Sequence, residues 1–368
     1  MRVSIWSVVA TVSMCSALAL VSSASAQVEH WGSFPGGAQQ QLPQAVPGLE
    51  HVVAVDASNK DAYVLQADGS VWALGNGEGG ELGDASTASS FTTPVRVSFQ
   101  AGIDIKSIGE AEAEGAAIDS AGQAWGWGSD VNGSLCLRDE GNLPVPVKLP
   151  VTGATAVQGG EGHTIWLLSD GRVVGCGANG DGQLGDGSTK SASRPVPVTG
   201  LENIVEISAG ELDSCARNKS GEVFTWGGNE NGQLGNGGTE SSDVPVHVPL
   251  PGPASDISCG GNLAANGHSL AIVAGEVYGW GADANGQVGD GQSADKLSPV
   301  ATGLHYSRVV ASGKSSLGLD SSGNVWAWGG GDGGALGIGA DRRSVLTPVL
   351  VTSGATTISA TAEDAISG

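Results

Sequence analysis

A carboxylate or imidazole recurs at one place in successive stretches of this sequence: Asp61, Glu114, His163, Asp213 and His268, with Ser315 and Asp364 at the corresponding positions further on. Two residues earlier stand Asn59, Glu112, Glu161, Glu211, Asn266 and Gly313, and Glu110 adds another acid. Gathered in space, such groups could attract a cation or a basic protein surface. They could also work as paired carboxylates in carbohydrate hydrolysis or lysis, provided two of them stand at the required separation. Glu110, Glu112, Glu114, Glu161, His163, Glu211, Asp213 and His268 are therefore the binding-face candidates. The contrary reading has each His or Asp bonded within its own loop and the Glu residues solvated. Nucleophilic catalysis has no anchor, because no Gly-x-Ser-x-Gly turn is set between a strand and a helix. Asp283-Ala-Asn285-Gly286 is spaced like a calcium loop, but Gln287-Val-Gly-Asp-Gly does not place the bidentate Glu that calcium requires. No metal site and no cofactor are expected.

These residues precede segments of one repeating grammar. An alternating stretch such as Thr164-Ile-Trp-Leu-Leu168 meets a turn, Ser169-Asp170-Gly171, and a second alternating stretch ends in Trp-Gly or a near equivalent. Period-two alternation about Asp-Gly or Ser-Gly predicts a β-hairpin. The terminal glycines are Gly32, Gly75, Gly128, Gly177, Gly227, Gly281 and Gly329, a spacing of roughly fifty residues that marks a repeat architecture. After each comes a Gly-rich loop such as Asn229-Glu-Asn-Gly-Gln-Leu-Gly235, then a Pro-Val edge segment, then a small apolar run such as Ile204-Val-Glu-Ile-Ser-Ala-Gly210. Four strands per repeat predict an all-β propeller of four-stranded blades. Seven Trp-Gly equivalents predict seven blades. The first copy lacks its hairpin and the last is unfinished, so Val28 to Gly32 and the segment around Thr357-Ile-Ser-Ala360 are expected to share one blade and close the ring. Eight of the nine Trp after residue 26 lie in or beside the Trp-Gly strand, where inter-blade packing explains them better than ligand stacking.

Residues 1–26 read as a secretory signal peptide: Arg2, an apolar run from Ile5 to Val21, then Ala24-Ser25-Ala26. Residues 27–368 would then form one domain, exported to a periplasmic or extracellular space, with no membrane span and a monomeric state expected. Cys136, Cys176, Cys215 and Cys259 lack the paired spacing of zinc or redox motifs and are read first as buried thiols, with a disulfide as the alternative. The chain carries 38 acidic against 16 basic side chains, a net charge of -22, which disfavours nucleic acid and favours a basic partner. Its 61 Gly residues have no collagen-like period and belong in turns.

Trp226, Gly227, Asn229, Gly232, Gln233, Leu234 and Gly235, with Gly160, Glu161, Gly162 and His163, resemble the regulator of chromosome condensation repeat family. The resemblance extends over essentially all of residues 27–368, and the Gln-Leu-Gly loop disfavours a kelch propeller. Members of that family include a nuclear guanine-nucleotide exchange factor, modules of larger proteins and secreted inhibitors of β-lactamase. The inhibitors present aromatic residues where this chain has Lys60, Ala113, Gly162, Leu212 and Lys314, and the exchange factor has an Asp where those same positions are never acidic. The expectation is an exported, non-enzymatic propeller that binds a protein or cell-envelope ligand by loops on one face. A carbohydrate-active hydrolase or lyase using the acidic rim is the alternative, and exchange factor or β-lactamase inhibitor rank below it.

Overall fold

A computed structural model describes residues 28–32, 40–57, 61–111, 114–130, 132–138, 141–261, 266–339 and 344–360. The expected signal peptide, Glu112 and Asp364 lie outside them. The chain opens with β1 (Val28–Gly32) and β2 (Gln40–Val46), an antiparallel pair. Six antiparallel four-stranded sheets follow among the described residues, each running from an inner to an outer strand in chain order. The first blade is β3 (Val52–Ala57), β4 (Asp61–Gln66), β5 (Val71–Gly75) and β6 (Ser90–Arg96). The second is β7 (Ile105–Ala111), β8 (Glu114–Asp119), β9 (Gln123–Ser129) and β10 (Asn142–Thr152), and the third β11 (Ala154–Gly159), β12 (His163–Leu168), β13 (Val173–Gly177) and β14 (Ala192–Pro197). The fourth comprises β15 (Ile204–Ala209), β16 (Asp213–Asn218), β17 (Val223–Gly227) and β18 (Ser242–His247). The fifth has β19 (Ala254–Gly260), β20 (His268–Val273), β21 (Glu276–Gly281) and β22 (Lys296–His305), and the sixth β23 (Arg308–Ser312), β24 (Ser315–Leu319), β25 (Asn324–Gly330) and β26 (Ser344–Ser353).

The predicted hairpins form at the predicted turns. Between β12 and β13, Asp170 Oδ1 accepts the Arg172 N–H at 3.1 Å, and Gly171 turns the chain at φ +80° without the clash a Cβ would bring. Successive hairpins are covered on both faces, as in β12, where five of six residues are buried, whereas β14 has no buried residue. The core therefore lies between blades rather than within one. Tyr63, Leu65 and Val71 of the first blade meet Ile105, Trp125 and Trp127 of the second, and Ile165 and Val173 of the third meet Ile207 and Trp226 of the fourth.

The expectation of seven four-stranded blades is corrected to six. Between the sixth blade and the first stands the two-stranded β1–β2 sheet, whose Val28, Trp31 and Val46 share a buried cluster with Leu317 and Val325 on one side and Ala62 and Val64 on the other. Residues 354–360 carry no strand ladder, although Ile358 is buried in that same cluster. The first copy has no hairpin of its own, so this position has fewer strands to pair. The thiol reading is also corrected, since Cys136 is joined to Cys176 and Cys215 to Cys259. Each bridge ties one blade to the next, a contact that spacing along the chain does not reveal.

Candidate functional site

Antiparallel order places the loops after the first and third strands of every blade at one end of the ring, and the hairpin turns and blade connections at the other. All described candidates from the sequence lie at the first end. Their side chains divide into two groups.

Glu114, His163, Asp213 and His268 are buried, so they are not parts of a solvent-facing acidic rim. They sit at the start of the second strand, where the neighbouring blade covers them. His163 Nε2 lies 3.0 Å from Ser214 Oγ on the next blade, and Ser214 Oγ donates to the Gln183 carbonyl at 3.0 Å. The serine proton is thereby used, so His163 must donate from Nε2. The fifth blade repeats this arrangement, with His268 Nε2 2.8 Å from Ser316 Oγ and Ser316 Oγ donating to the Gln287 carbonyl at 2.7 Å. Burial drives both imidazoles down to about 4, so they are neutral at ordinary pH. Asp213 is the acidic counterpart: burial pushes its carboxyl up to about 8. Glu114 accepts a short hydrogen bond from Ser134 Oγ. His163 and His268 thus join blades, Glu114 is bonded within its own blade, and Asp213 is buried, so none of the four faces solvent to receive a ligand.

Glu161, half-buried, and Glu211, buried, line the end of the central channel, with the Glu161 N–H donating to the Glu211 carbonyl at 3.1 Å. Glu110 belongs to the backbone of β7. The channel holds about 560 Å³ and is lined by the inner strands together with Thr356–Ala360. Deeper inside it, Glu206 pairs with Arg217 at 2.6 Å, and Asp256 Oδ2 accepts the Val309 N–H at 2.8 Å. Burial and the adjacent Glu206 raise the Asp256 carboxyl to about 7. Both carboxyl groups already have partners from the protein.

The Asn-x-x-Gly-Gln-Leu-Gly loops have an internal explanation that their spacing alone did not disclose. Asn229 Oδ1 accepts the Leu234 N–H at 3.0 Å, Gln233 Oε1 accepts the Asn231 N–H at 3.0 Å, and the Gln233 carbonyl receives the Trp280 indole N–H of the next blade at 2.8 Å. The same indole-to-carbonyl bond links Trp127 to Glu81, Trp226 to Gln183, Trp328 to Gln287 and Trp31 to Ala335, at 2.8 to 3.0 Å. The glycine ending each loop is where the indole rests: a Cβ on Gly235, at φ +64°, would stand 2.8 Å from the Trp280 ring. In the fifth blade, Asp283 Oδ1 accepts the Val288 N–H at 2.9 Å while Oδ2 faces Lys296 Nζ at 3.4 Å. Asp283 is thus committed to bracing its own backbone, and Asn285 Oδ1 accepts from Ser344 Oγ of the next blade at 3.2 Å. The signal for this joint was present as the co-occurrence of Trp-Gly and Gln-Leu-Gly, one repeat apart.

The geometry has known counterparts. The family model described as the regulator of chromosome condensation repeat matches residues 170–216, 220–266 and 322–362, and a second model of that repeat matches 154–183 and 204–233. The ultraviolet-B receptor UVR8 of Arabidopsis thaliana is 30% identical over 311 residues, covering 81% of this chain and 67% of the receptor. The chain belongs to the regulator of chromosome condensation repeat family. A human E3 ubiquitin-protein ligase of the same similarity range, HERC2, is 32% identical over 307 residues, 78% of this chain but 6% of the ligase. This repeat-family member therefore spans a small part of that enzyme. Among solved structures, human WBSCR16 aligns with a TM-score of 0.78 at 20% identity, covering 91% of this chain and 92% of that one. Prp20p of Saccharomyces cerevisiae, in a structure described with its binding properties to Gsp1p and histones, aligns with a TM-score of 0.76 at 20% identity, covering 90% and 86%. These two likenesses establish the propeller fold. No helix among the described residues is long and apolar enough to cross a membrane.

Proposed function

We propose that this chain is an exported, non-enzymatic propeller scaffold whose loop-bearing end binds a basic protein or a basic cell-envelope ligand. The observation that carries the reading is the unequal distribution of charge between the two ends. At the loop-bearing end, Glu78, Glu230, Glu240, Asp295 and Asp332 are exposed and outnumber the exposed Arg138 and Lys190, Glu161 is half-buried at the channel, and Lys296 is taken up by Asp290 at 2.9 Å. At the opposite end two exposed acids are paired, Asp104 with Lys106 and Asp170 with Arg172, each at 2.8 Å. An acidic end on a rigid ring would speed and orient encounter with a basic surface. The protein-binding relatives among propellers of this family are consistent with such a role, and the two disulfides suit an oxidising compartment of the kind to which residues 1–26 would direct the chain. We take the N- and C-terminal segments to complete the seventh position of the ring. Ser359 Oγ donating to Asp56 Oδ1 at 3.1 Å and Ile358 packing with Val28 and Trp31 favour that closure.

Calorimetric titration with poly-L-lysine, followed by capture from envelope extracts, tests the reading. Binding should weaken steeply between low and physiological salt and on reversing Glu230, Glu240 and Asp332 to Lys. Capture indifferent to both changes would reject the acidic end as the site. A polysaccharide turnover screen on the same preparation, with Glu161→Gln and Glu211→Gln variants, addresses the enzymatic alternative: turnover lost in either folded variant would reject a binding-only protein.

A further inference from the structure

One joint of the ring is closed differently from its neighbours. Where the third and fourth blades meet, Gly185, Ala216 and Trp226 form a trio: the indole lies over the glycine and beside the alanine, and donates to the Gln183 carbonyl. Gly83, Ala117 and Trp127 occupy the same places between the first and second blades, and Gly235, Ala271 and Trp280 between the fourth and fifth. Between the second and third blades these places hold Cys136, Trp166 and Cys176, all buried in one cluster, and the two cysteines are bonded. Cys136 takes the glycine's left-handed backbone, at φ +61°, despite carrying a Cβ. Trp166 is on the same face of the sheet as Cys176, in the space that the missing indole of β13 leaves. Its own N–H turns back to Thr164 Oγ1 at 3.2 Å within its own strand, so no indole reaches across to the preceding loop.

We propose that the joint between the second and third blades is an oxidation-dependent latch, closed by the Cys136–Cys176 bond in place of the indole bond used elsewhere. In the closing step the two thiols form one S–S bond and give up two protons and two electrons to a disulfide oxidant, small or protein-borne, which leaves as two thiols. Without that bond the joint retains apolar contact and the hydrogen bond that Thr164 Oγ1 donates to the Ser134 carbonyl, but it has neither the indole hydrogen bond nor the covalent tie, and Cys136 keeps an unfavourable backbone. The other bridge does not have this role, because Cys215 and Cys259 add to a joint that already contains the Trp280 bond.

The full chain, unfolded and reduced, is refolded with either a glutathione redox buffer or dithiothreitol, and amide exchange is followed in β9, β12 and β13. Refolding in dithiothreitol should lower protection there by about 30-fold or more, the lower end of what a bridge of this loop size contributes. Protection at the joint of the fifth and sixth blades, read in β24 and β25, which holds the Trp328 bond and no bridge, should fall by much less. The triple variant Cys136→Gly, Trp166→Ala, Cys176→Trp, which transplants the trio of the other joints, should be equally protected in both buffers. Wild-type protein fully protected in dithiothreitol, or a folded triple variant that still needs the oxidant, would overturn the latch. The Cys215→Ser/Cys259→Ser variant keeps the question open to refutation if the triple variant does not fold. It should retain the oxidant requirement at β12 and β13, and loss of that requirement would assign the effect to the other bridge.

Discussion

The indole nitrogen of Trp226 lies 2.8 Å from the carbonyl oxygen of Gln183, which belongs to the preceding blade 43 residues earlier. A buried aromatic of this size contributes mainly by area, about 4–6 kcal/mol for 150–250 Å² removed from water. The hydrogen bond adds about 1 kcal/mol, and the Gln183 carbonyl keeps the Ser214 hydroxyl as a second donor. Packing therefore provides the affinity between blades, and the N–H to carbonyl bond fixes their register.

Trp226→Phe should separate these contributions. The ring keeps much of its apolar contact and loses the donor, so urea denaturation should show a loss of roughly 2 kcal/mol, against about 3–5 kcal/mol for Trp226→Ala. Equal losses in the two variants would mean that the hydrogen bond carries little and that shape alone sets the joint.

Gly235→Ala and Gly200→Ala form a matched pair. Both glycines have left-handed φ, +64° and +70°, so both pay the same backbone penalty of about 1 kcal/mol. Only Gly235 faces the Trp280 ring, with 2.8 Å to the built Cβ, whereas nothing lies within 4 Å of that position at Gly200. The Gly235 substitution should therefore cost about 1–3 kcal/mol more by chemical denaturation, the usual cost of overpacking.

Much of this architecture was legible from side-chain type and period. Asp170-Gly171 marked a hairpin because the turn is local, and the alternation of Thr164 to Leu168 marked a strand because its two faces are local too. The joints were not legible in that way. Whether His163 faces solvent or Ser214 depends on a blade 51 positions away, and the same distance problem hid the partner of Cys136. The count of blades failed for a related reason: Trp31-Gly32 carries the strand-end signal, but a four-stranded sheet needs a hairpin that this copy does not encode beside it.

His163 and His268 should make the fold acid-sensitive. In the unfolded chain each imidazole takes a proton near 6.5, while the folded chain refuses it until about 4. Protons thus bind the unfolded state more readily, and stability present above pH 6.5 is lost as pH falls toward 4. The loss should be on the order of 3 kcal/mol per histidine across that window. Melting curves at pH 7 and 5 check the direction, and nitrogen NMR should find the His163 ring in the Nε2–H form at pH 7. Protonation of either ring at pH 6 in the folded protein would contradict the burial that keeps these imidazoles neutral.

Asp213 should act in the opposite sense. Its folded carboxyl holds a proton up to about 8, far above the ordinary carboxylate value of 3.8, because burial penalises the anion and Oδ2 has no hydrogen-bond partner among the described residues. The unfolded chain releases that proton near pH 4, so raising the pH from about 4 to about 8 progressively favours unfolding through this residue. Asn has the shape of the protonated acid and no charge to bury. Asp213→Asn should therefore match wild type near pH 4 and exceed it in melting temperature by several degrees at pH 8. An Asn variant less stable than wild type at pH 8 would show instead that the ionised carboxylate is accommodated at this joint, and that a positive group or water reaches Oδ2 from the neighbouring blade.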